Sequence, residues 1–103
     1  MFDDVHPIEY AIRQEFGEDA DIMIDVAFCE SNLSHYNDKG EVLRGKVNPK
    51  DVGLFQISET YHLKTAEKMG LDIYTLNGNI TYAKYLFEKN GLKDWAASSN
   101  CHQ

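Results

Sequence analysis

The segment Ala27-Phe28-Cys29-Glu30-Ser31-Asn32 ends a run with helical periodicity, and a second motif, Asp51-Val52-Gly53-Leu54-Phe55-Gln56-Ile57, follows it. Apolar residues at positions 22, 23, 26 and 27 mark one face of an amphipathic helix, and Glu30 occupies the next place on that face. Burial disfavours the charged form of a carboxyl group, so the pKa of Glu30 should rise, and an acid that keeps its proton can act as a general acid. The alternative is that Glu30 reaches the solvent at the end of its helix.

Asp51 is the second candidate, because it directly precedes an apolar run. The polar residues beside it favour an ionised carboxylate. Gly53 and Gln56 interrupt the run at places where a small residue and an amide suit the edge of a ligand site. The alternatives are that Asp51 is a turn residue after Pro49 and that Gln56 caps the local backbone.

The two motifs, E-S-N at 30–32 and D-V-G-L-F-Q-I at 51–57, resemble the active-site motifs of the lysozyme-like superfamily. The similarity is closest to animal-type lysozymes and to phage and bacterial muramidases. Lytic transglycosylases are related, with E-S followed by G-L-M-Q. The pair Asn79-Ile80 with Tyr85-Leu86 resembles a transglycosylase helix, and Gly91 to Ser98 resembles the G-x-x-x-W segment that closes many phage-type domains. The transglycosylase ending A-Y-N-x-G is replaced by Ser99-Asn100-Cys101.

The resemblance implies that residues 1–103 form one catalytic domain of a mainly α (α+β) lysozyme-like fold, in which a small β-hairpin flanks the active-site cleft. It implies cleavage of peptidoglycan glycan strands at the β-1,4 bond between N-acetylmuramic acid and N-acetylglucosamine. Glu30 would be the general acid and Asp51 the second carboxylate. The predicted substrate-binding residues are Gln56, Ser31, Tyr61 and Gly53, and no metal or cofactor is expected.

Two alternatives to a muramidase stay open. A lytic transglycosylase makes the same cut with one glutamate and leaves a 1,6-anhydro product; Asp51 and the missing tyrosine of the closing motif favour hydrolysis instead. A non-catalytic wall-binding or assembly domain could keep the same fold, and the acidic net charge of −7 is the best support for it.

Local signals predict four helices, at about 6–16, 19–32, 58–69 and 78–90. Pro7 suits a first helical position, Ser58 a cap, and Gly91 a helix end. Between the second and third helices, residues 42–43 and 46–47 are predicted to be the strands of a small hairpin. The apolar run that follows Asp51 is expected to pack into the core.

Cys29 and Cys101 are the two cysteines of the chain. They could form one disulfide that fastens the C-terminal end to the helix carrying Glu30. The alternative is two free thiols. The resemblance favours the bridge, because related phage-type domains often carry one cysteine beside the catalytic glutamate and another near the end.

The net charge of −7 argues against nucleic acid as a partner, since phosphates would repel the chain. No apolar run approaches the roughly 20 residues of a membrane span. The acidic start, Met1-Phe2-Asp3-Asp4, is not a signal peptide. We therefore expect a domain that acts outside the cytoplasm, on the cell wall, in a virion or as a secreted protein. It would leave the cell by another route, such as host lysis, or be tethered to or excised from a larger phage or cell-wall protein.

The four histidines lack the spacing of a zinc site, and no nucleophilic-serine or phosphate-loop motif occurs. The sequence thus favours acid–base chemistry by two carboxyl groups.

Overall fold

The computed structural model describes residues 6–102 and shows a mainly helical chain with one two-stranded antiparallel sheet. Two single-turn or short 3₁₀ segments, Gly17–Asp19 and Lys93–Ser98, accompany the regular elements. The five helices and two strands are α1 (Pro7–Phe16), α2 (Ala20–Ser31), β1 (Asp51–Val52), β2 (Ile57–Ser58), α3 (Glu59–Lys68), α4 (Leu76–Asn90) and α5 (Ser99–His102). Within residues 6–102, none of the helices has the length and apolar character that crossing a membrane requires.

The helix ends follow from local chemistry, and the four helices predicted from the sequence are confirmed. Pro7 opens α1. The hydroxyl of Ser58 accepts a hydrogen bond from the Tyr61 N–H at the start of α3, 3.3 Å away. Thr75 caps α4 in the same way, through the N–H of Gly78 at 2.9 Å. Such caps satisfy backbone donors that have no partner within the helix.

The predicted position of the hairpin is wrong. The strands are β1 and β2, with Asp51 paired to Ser58 and Val52 paired to Ile57, whereas residues 42–44 form only isolated bridges to positions 36 and 52. Val47, which was expected in a strand, is fully exposed. Two strands gain stability mainly from a buried face, and the apolar side chains that supply one lie after Asp51, not before it.

The core lies between α1, α2, α4 and the turn that joins β1 to β2. Phe55 in that turn is fully buried, with its ring centroid 5.9 Å from that of Phe16 and 6.0 Å from that of Trp95. The Trp95 Nε1–H donates a hydrogen bond to the Phe55 carbonyl oxygen at 3.0 Å. The expectation that the run after Asp51 packs into the core is confirmed, and the packing sets the turn firmly against the helices.

Candidate active site

Two adjoining cavities form a cleft, and Glu30 and Asp51 lie where they meet. The cavities have volumes of about 650 Å³ and about 380 Å³, and they share Glu30, Asn48, Asp51 and Gln56 in their walls. The larger cavity, here called the first arm, is bordered by the end of α2 and by the loop at 34–48. The smaller one, the second arm, is bordered by β2, α3 and the segment around Trp95. An extended ligand that filled both arms would pass over both carboxyl groups.

Glu30 is the penultimate residue of α2 and is half-buried. Burial raises the pKa of its carboxyl group, and the nearby charge of Asp51 raises it further. Two contacts oppose this rise: the Ser98 hydroxyl donates a hydrogen bond to Glu30 Oε2, and the His102 ring exerts a smaller charge effect. The net direction is upward, as predicted from the place of Glu30 on the apolar face of its helix.

Asp51 begins β1 and is held by its backbone. Its N–H donates to the Asn48 carbonyl oxygen at 3.0 Å, and its own carbonyl oxygen accepts from the Gly45 N–H at 2.9 Å. The sequence suggested well-hydrated surroundings, but Asp51 is half-buried and burial raises the pKa of its carboxyl group as well. These backbone hydrogen bonds fix the position of Asp51 at the edge of the cleft.

The pKa values of the two carboxyl groups in the cleft determine which of them carries a proton. Burial raises the pKa of both groups, and the negative charge of an ionised Asp51 raises that of Glu30 further, so an ionised Asp51 favours a protonated Glu30. That state offers a proton donor and an anion to the same ligand. It suits a reaction in which a leaving oxygen is protonated while positive charge develops nearby.

Gln56 lines both arms and has a left-handed backbone, with φ at 52°. Its Nε2 donates to the Gly53 carbonyl oxygen at 3.0 Å. The side chain therefore caps the local backbone, as the alternative interpretation held, and at the same time faces the cleft.

Gly53, predicted to bind substrate, lies in the core and not in the wall of either arm. It is buried with φ at 77°, and a Cβ at this position would lie 2.5 Å from both Asn79 Nδ2 and His35 Cε1. Its small size is needed for the packing beneath the cleft, and the structure gives this packing reason for a glycine at position 53.

Ser31 lies in the wall of the first arm but is engaged by its own helix end. Its hydroxyl donates to the Ala27 carbonyl oxygen at 3.0 Å and accepts from the Ser34 N–H at 3.2 Å. Asn32 follows with a left-handed backbone, φ 57°, which ends α2. These contacts hold the turn that carries Glu30, so Ser31 positions that turn from within the wall of the first arm.

Tyr61 lies in the second arm and is 80% exposed, so its ring is open to a ligand there. In the first arm, three apolar side chains that are more than half exposed line the wall: Phe28, Tyr36 and Val47. Exposed apolar side chains gathered along one cleft favour a ligand with flat, partly apolar faces.

Three residues that support the site were not predicted from the sequence: Ser98, His35 and Asn79. His35 is buried, with Nε2 2.8 Å from the Tyr74 carbonyl oxygen and Nδ1 accepting from the Leu54 N–H at 3.0 Å. Both ring nitrogens are thus used in holding the turn after Asp51. Asn79 was noted only as part of a helix motif, and Ser98 only as the end of the tryptophan segment.

Metal ligation finds no support within residues 6–102, where no group of three or more His, Cys, Asp or Glu side chains could hold an ion. A comparison with known protein families, curated proteins and solved structures finds no match to this chain.

Proposed function

We propose that this protein is an N-acetylmuramidase with a lysozyme-like fold, which hydrolyses the β-1,4 bond between N-acetylmuramic acid and N-acetylglucosamine in peptidoglycan. The observation that carries the proposal is the placement of Glu30 and Asp51 in one elongated cleft, where its two arms meet. Two-carboxylate cleavage of a glycosidic bond is the pattern of lysozyme itself, and we apply it here to residues that match the lysozyme-like motifs.

The cleft suits a polymer better than a small molecule. It has an arm on each side of the carboxyl pair, so sugar units could bind on both sides of the bond that is cut. Aromatic side chains face both arms, with Tyr36 in the first and Tyr61 in the second, and such rings can stack on sugar rings. We therefore expect one long glycan chain to bind along the cleft and to pass over both carboxyl groups.

In the proposed reaction, Glu30 donates its proton to the glycosidic oxygen as the bond breaks. Asp51, ionised in the same cleft, stabilises the positive charge that develops at the anomeric carbon or attacks that carbon. Once deprotonated, Glu30 accepts a proton from the water that completes hydrolysis. The Ser98 hydroxyl is placed to stabilise this carboxylate form, since it donates a hydrogen bond to Oε2.

One observation favours a second candidate, a lytic transglycosylase. Burial raises the pKa of Asp51 and so reduces the fraction of its charged form at mildly acidic pH. A transglycosylase needs only Glu30, because the C6 hydroxyl of the muramic acid takes the place of water.

Mass spectrometry of digested peptidoglycan tests the proposal. Purified protein is incubated with isolated cell walls, and the soluble fragments are analysed for their ends. Reducing N-acetylmuramic acid ends are the expected result, and 1,6-anhydro ends would identify a transglycosylase. Undigested walls, with the protein bound to them, would contradict both activities and identify a wall-binding domain.

A further inference from the structure

The C-terminal residues 98–102, here called the clasp, close over the residue proposed as the acid. The Ser98 hydroxyl is within hydrogen-bonding distance of Glu30 Oε2 and lies 3.2 Å from the Trp95 carbonyl oxygen. A hydroxyl has one hydrogen to donate. It can therefore serve the ionised form of Glu30, and turn to the Trp95 carbonyl when Glu30 carries its own proton.

A disulfide fastens the clasp to the helix that carries Glu30. Cys29, which directly precedes Glu30, is bonded to Cys101, which lies three residues after Ser98. The two partners of the Ser98–Glu30 contact are separated by 68 positions in the sequence. Without the bond, the hydrogen bond would have to bring together two segments that no covalent link keeps near each other.

His102 gives the clasp a further anchor. Its ring is buried, and Nε2 lies 3.3 Å from the Trp95 carbonyl oxygen. Trp95 is in turn bound through its indole N–H to Phe55, in the turn that follows Asp51. The clasp therefore contacts Glu30 directly, and through Trp95 it is linked to the turn that follows Asp51.

We propose that Ser98 is a positioning residue for Glu30 and that the Cys29–Cys101 disulfide keeps it in position, so that the oxidised chain cleaves glycan strands faster than the reduced chain. The inference rests on the proposed function and adds its regulation: the reaction would be favoured in oxidising surroundings, where disulfides persist, and slowed in a reducing cytoplasm.

The redox step needs an external reductant of the dithiol class. In the exchange, the two thiols of dithiothreitol become a disulfide, and the cysteine sulfurs each gain one hydrogen as their bond breaks. Removal of the bond leaves the clasp joined to α2 by non-covalent contacts alone.

Loss of Ser98 and loss of the disulfide should move the pKa of Glu30 in opposite directions. The Ser98 hydrogen bond lowers that pKa, so Ser98→Ala should raise it. Opening of the clasp hydrates Glu30, and because burial is the largest cause of its raised pKa, reduction should lower it. If the clasp were merely structural, both changes would lower stability but would not shift the pKa of Glu30 in opposite directions.

The test compares glycan cleavage and its pH dependence in oxidised wild type, dithiothreitol-treated wild type, Cys101→Ser and Ser98→Ala. We expect each of the last three to be slower by about tenfold, a change of about 1.4 kcal/mol in the barrier. The high-pH limb of the rate profile should move to higher pH for Ser98→Ala and to lower pH for the two chains without the disulfide. Ser98→Thr, which keeps a hydroxyl, should recover most of the rate.

Ser99→Ala removes the neighbouring hydroxyl and is the matched control, expected to match wild type. Dithiothreitol should not change Cys101→Ser. Equal rates for oxidised and reduced wild type, or for Ser98→Ala and Ser99→Ala, would overturn the inference, as would unfolding of the reduced chain at the assay temperature. Carboxyl-carbon NMR titration of Glu30 measures the same shifts without substrate. If oxidised wild type cleaves nothing yet the titration shows both shifts, the proposed function fails and the positioning by Ser98 stands.

Discussion

Asn79 should be among the most costly residues to replace, because it holds three backbone groups beneath the cleft. Its side chain is fully buried. Oδ1 accepts from the Phe55 N–H at 2.9 Å, and Nδ2 donates to the carbonyl oxygens of Val52 at 3.0 Å and Ile73 at 2.9 Å. Asn79→Ala would leave one donor and two acceptors in the core without these partners.

The cost can be estimated from those three groups. A buried polar group without a partner costs about 1–3 kcal/mol, which gives a sum of about 3–9 kcal/mol. Water that enters the space left by the amide would satisfy part of the loss, so we expect about 3–4 kcal/mol. That is a large share of the roughly 5–15 kcal/mol that stabilises a typical domain.

Urea unfolding monitored by circular dichroism measures this loss, with the slope m checked for constancy between variants. Asn90→Ala is the matched control on the same helix, since Asn90 is only partly buried and its amide bonds to Asp94 at the surface, 3.1 Å away. The control should change the free energy of unfolding by less than about 0.5 kcal/mol. A loss of under about 1 kcal/mol for Asn79→Ala would refute the reasoning, because each unpaired group alone should cost that much.

Three further results are expected. Gly53→Ala should destabilise the chain more than Gly70→Ala in thermal unfolding. Both glycines have positive φ, at 77° and 75°, but of these two only a Cβ at position 53 would lie within 4 Å of other side chains. Equal losses of stability would contradict the packing argument. Burial lowers the pKa of His35 below its ordinary 6.5, so on acidification the unfolded chain takes up a proton more readily than the folded chain. The contribution of His35 to stability should therefore be complete above about pH 6.5 and fall as the pH drops below it, as measured by urea unfolding in a Glu30→Gln background. A flat profile would count against a buried neutral ring. Asp51→Asn should slow turnover at least about tenfold, about 1.4 kcal/mol of barrier, with wall affinity in a pull-down nearly unchanged; full activity with anhydro products would favour the transglycosylase.

The helices could be predicted from the sequence because their signals are local. Apolar residues at helical spacing, together with Pro7, Ser58 and Gly91, mark their faces and ends within a few positions. The prediction that the residues after Asp51 are buried succeeded for the same reason, since the apolar run is continuous apart from Gly53 and Gln56.

The strands were misplaced because strand pairing depends on burial that is decided far along the chain. Val42 and Val47 have suitable side chains for strands, yet Val47 is fully exposed and Val42 makes a single bridge. Strand propensity reflects a half-buried surface more than an intrinsic preference. The end of β1 and the turn that follows it are held by Asn79 of α4 and by Trp95, both distant in the sequence, and no local pattern shows this.

The supports of the site escaped prediction for a related reason. Ser98 meets Glu30 over 68 positions, and His35 meets Tyr74 over 39. Single polar residues carry no periodicity that would reveal such contacts. The two proposed carboxyl groups could be singled out because they stand in motifs that resemble a known family, and Gly53 of the same motif serves the packing.

The central claim, that Glu30 is the acid in a glycan-cleaving site, is tested most directly by Glu30→Gln. The amide keeps the size of the side chain and can still bond to Ser98, but it has no acidic proton to transfer, so the initial rate of release of soluble fragments from purified cell walls should fall by about 10²–10⁴-fold. Asp25→Asn, which removes an exposed carboxylate from the same helix, is the matched control and should retain the wild-type rate, with circular dichroism confirming that both variants are folded. A Glu30→Gln rate equal to that of Asp25→Asn would contradict the account.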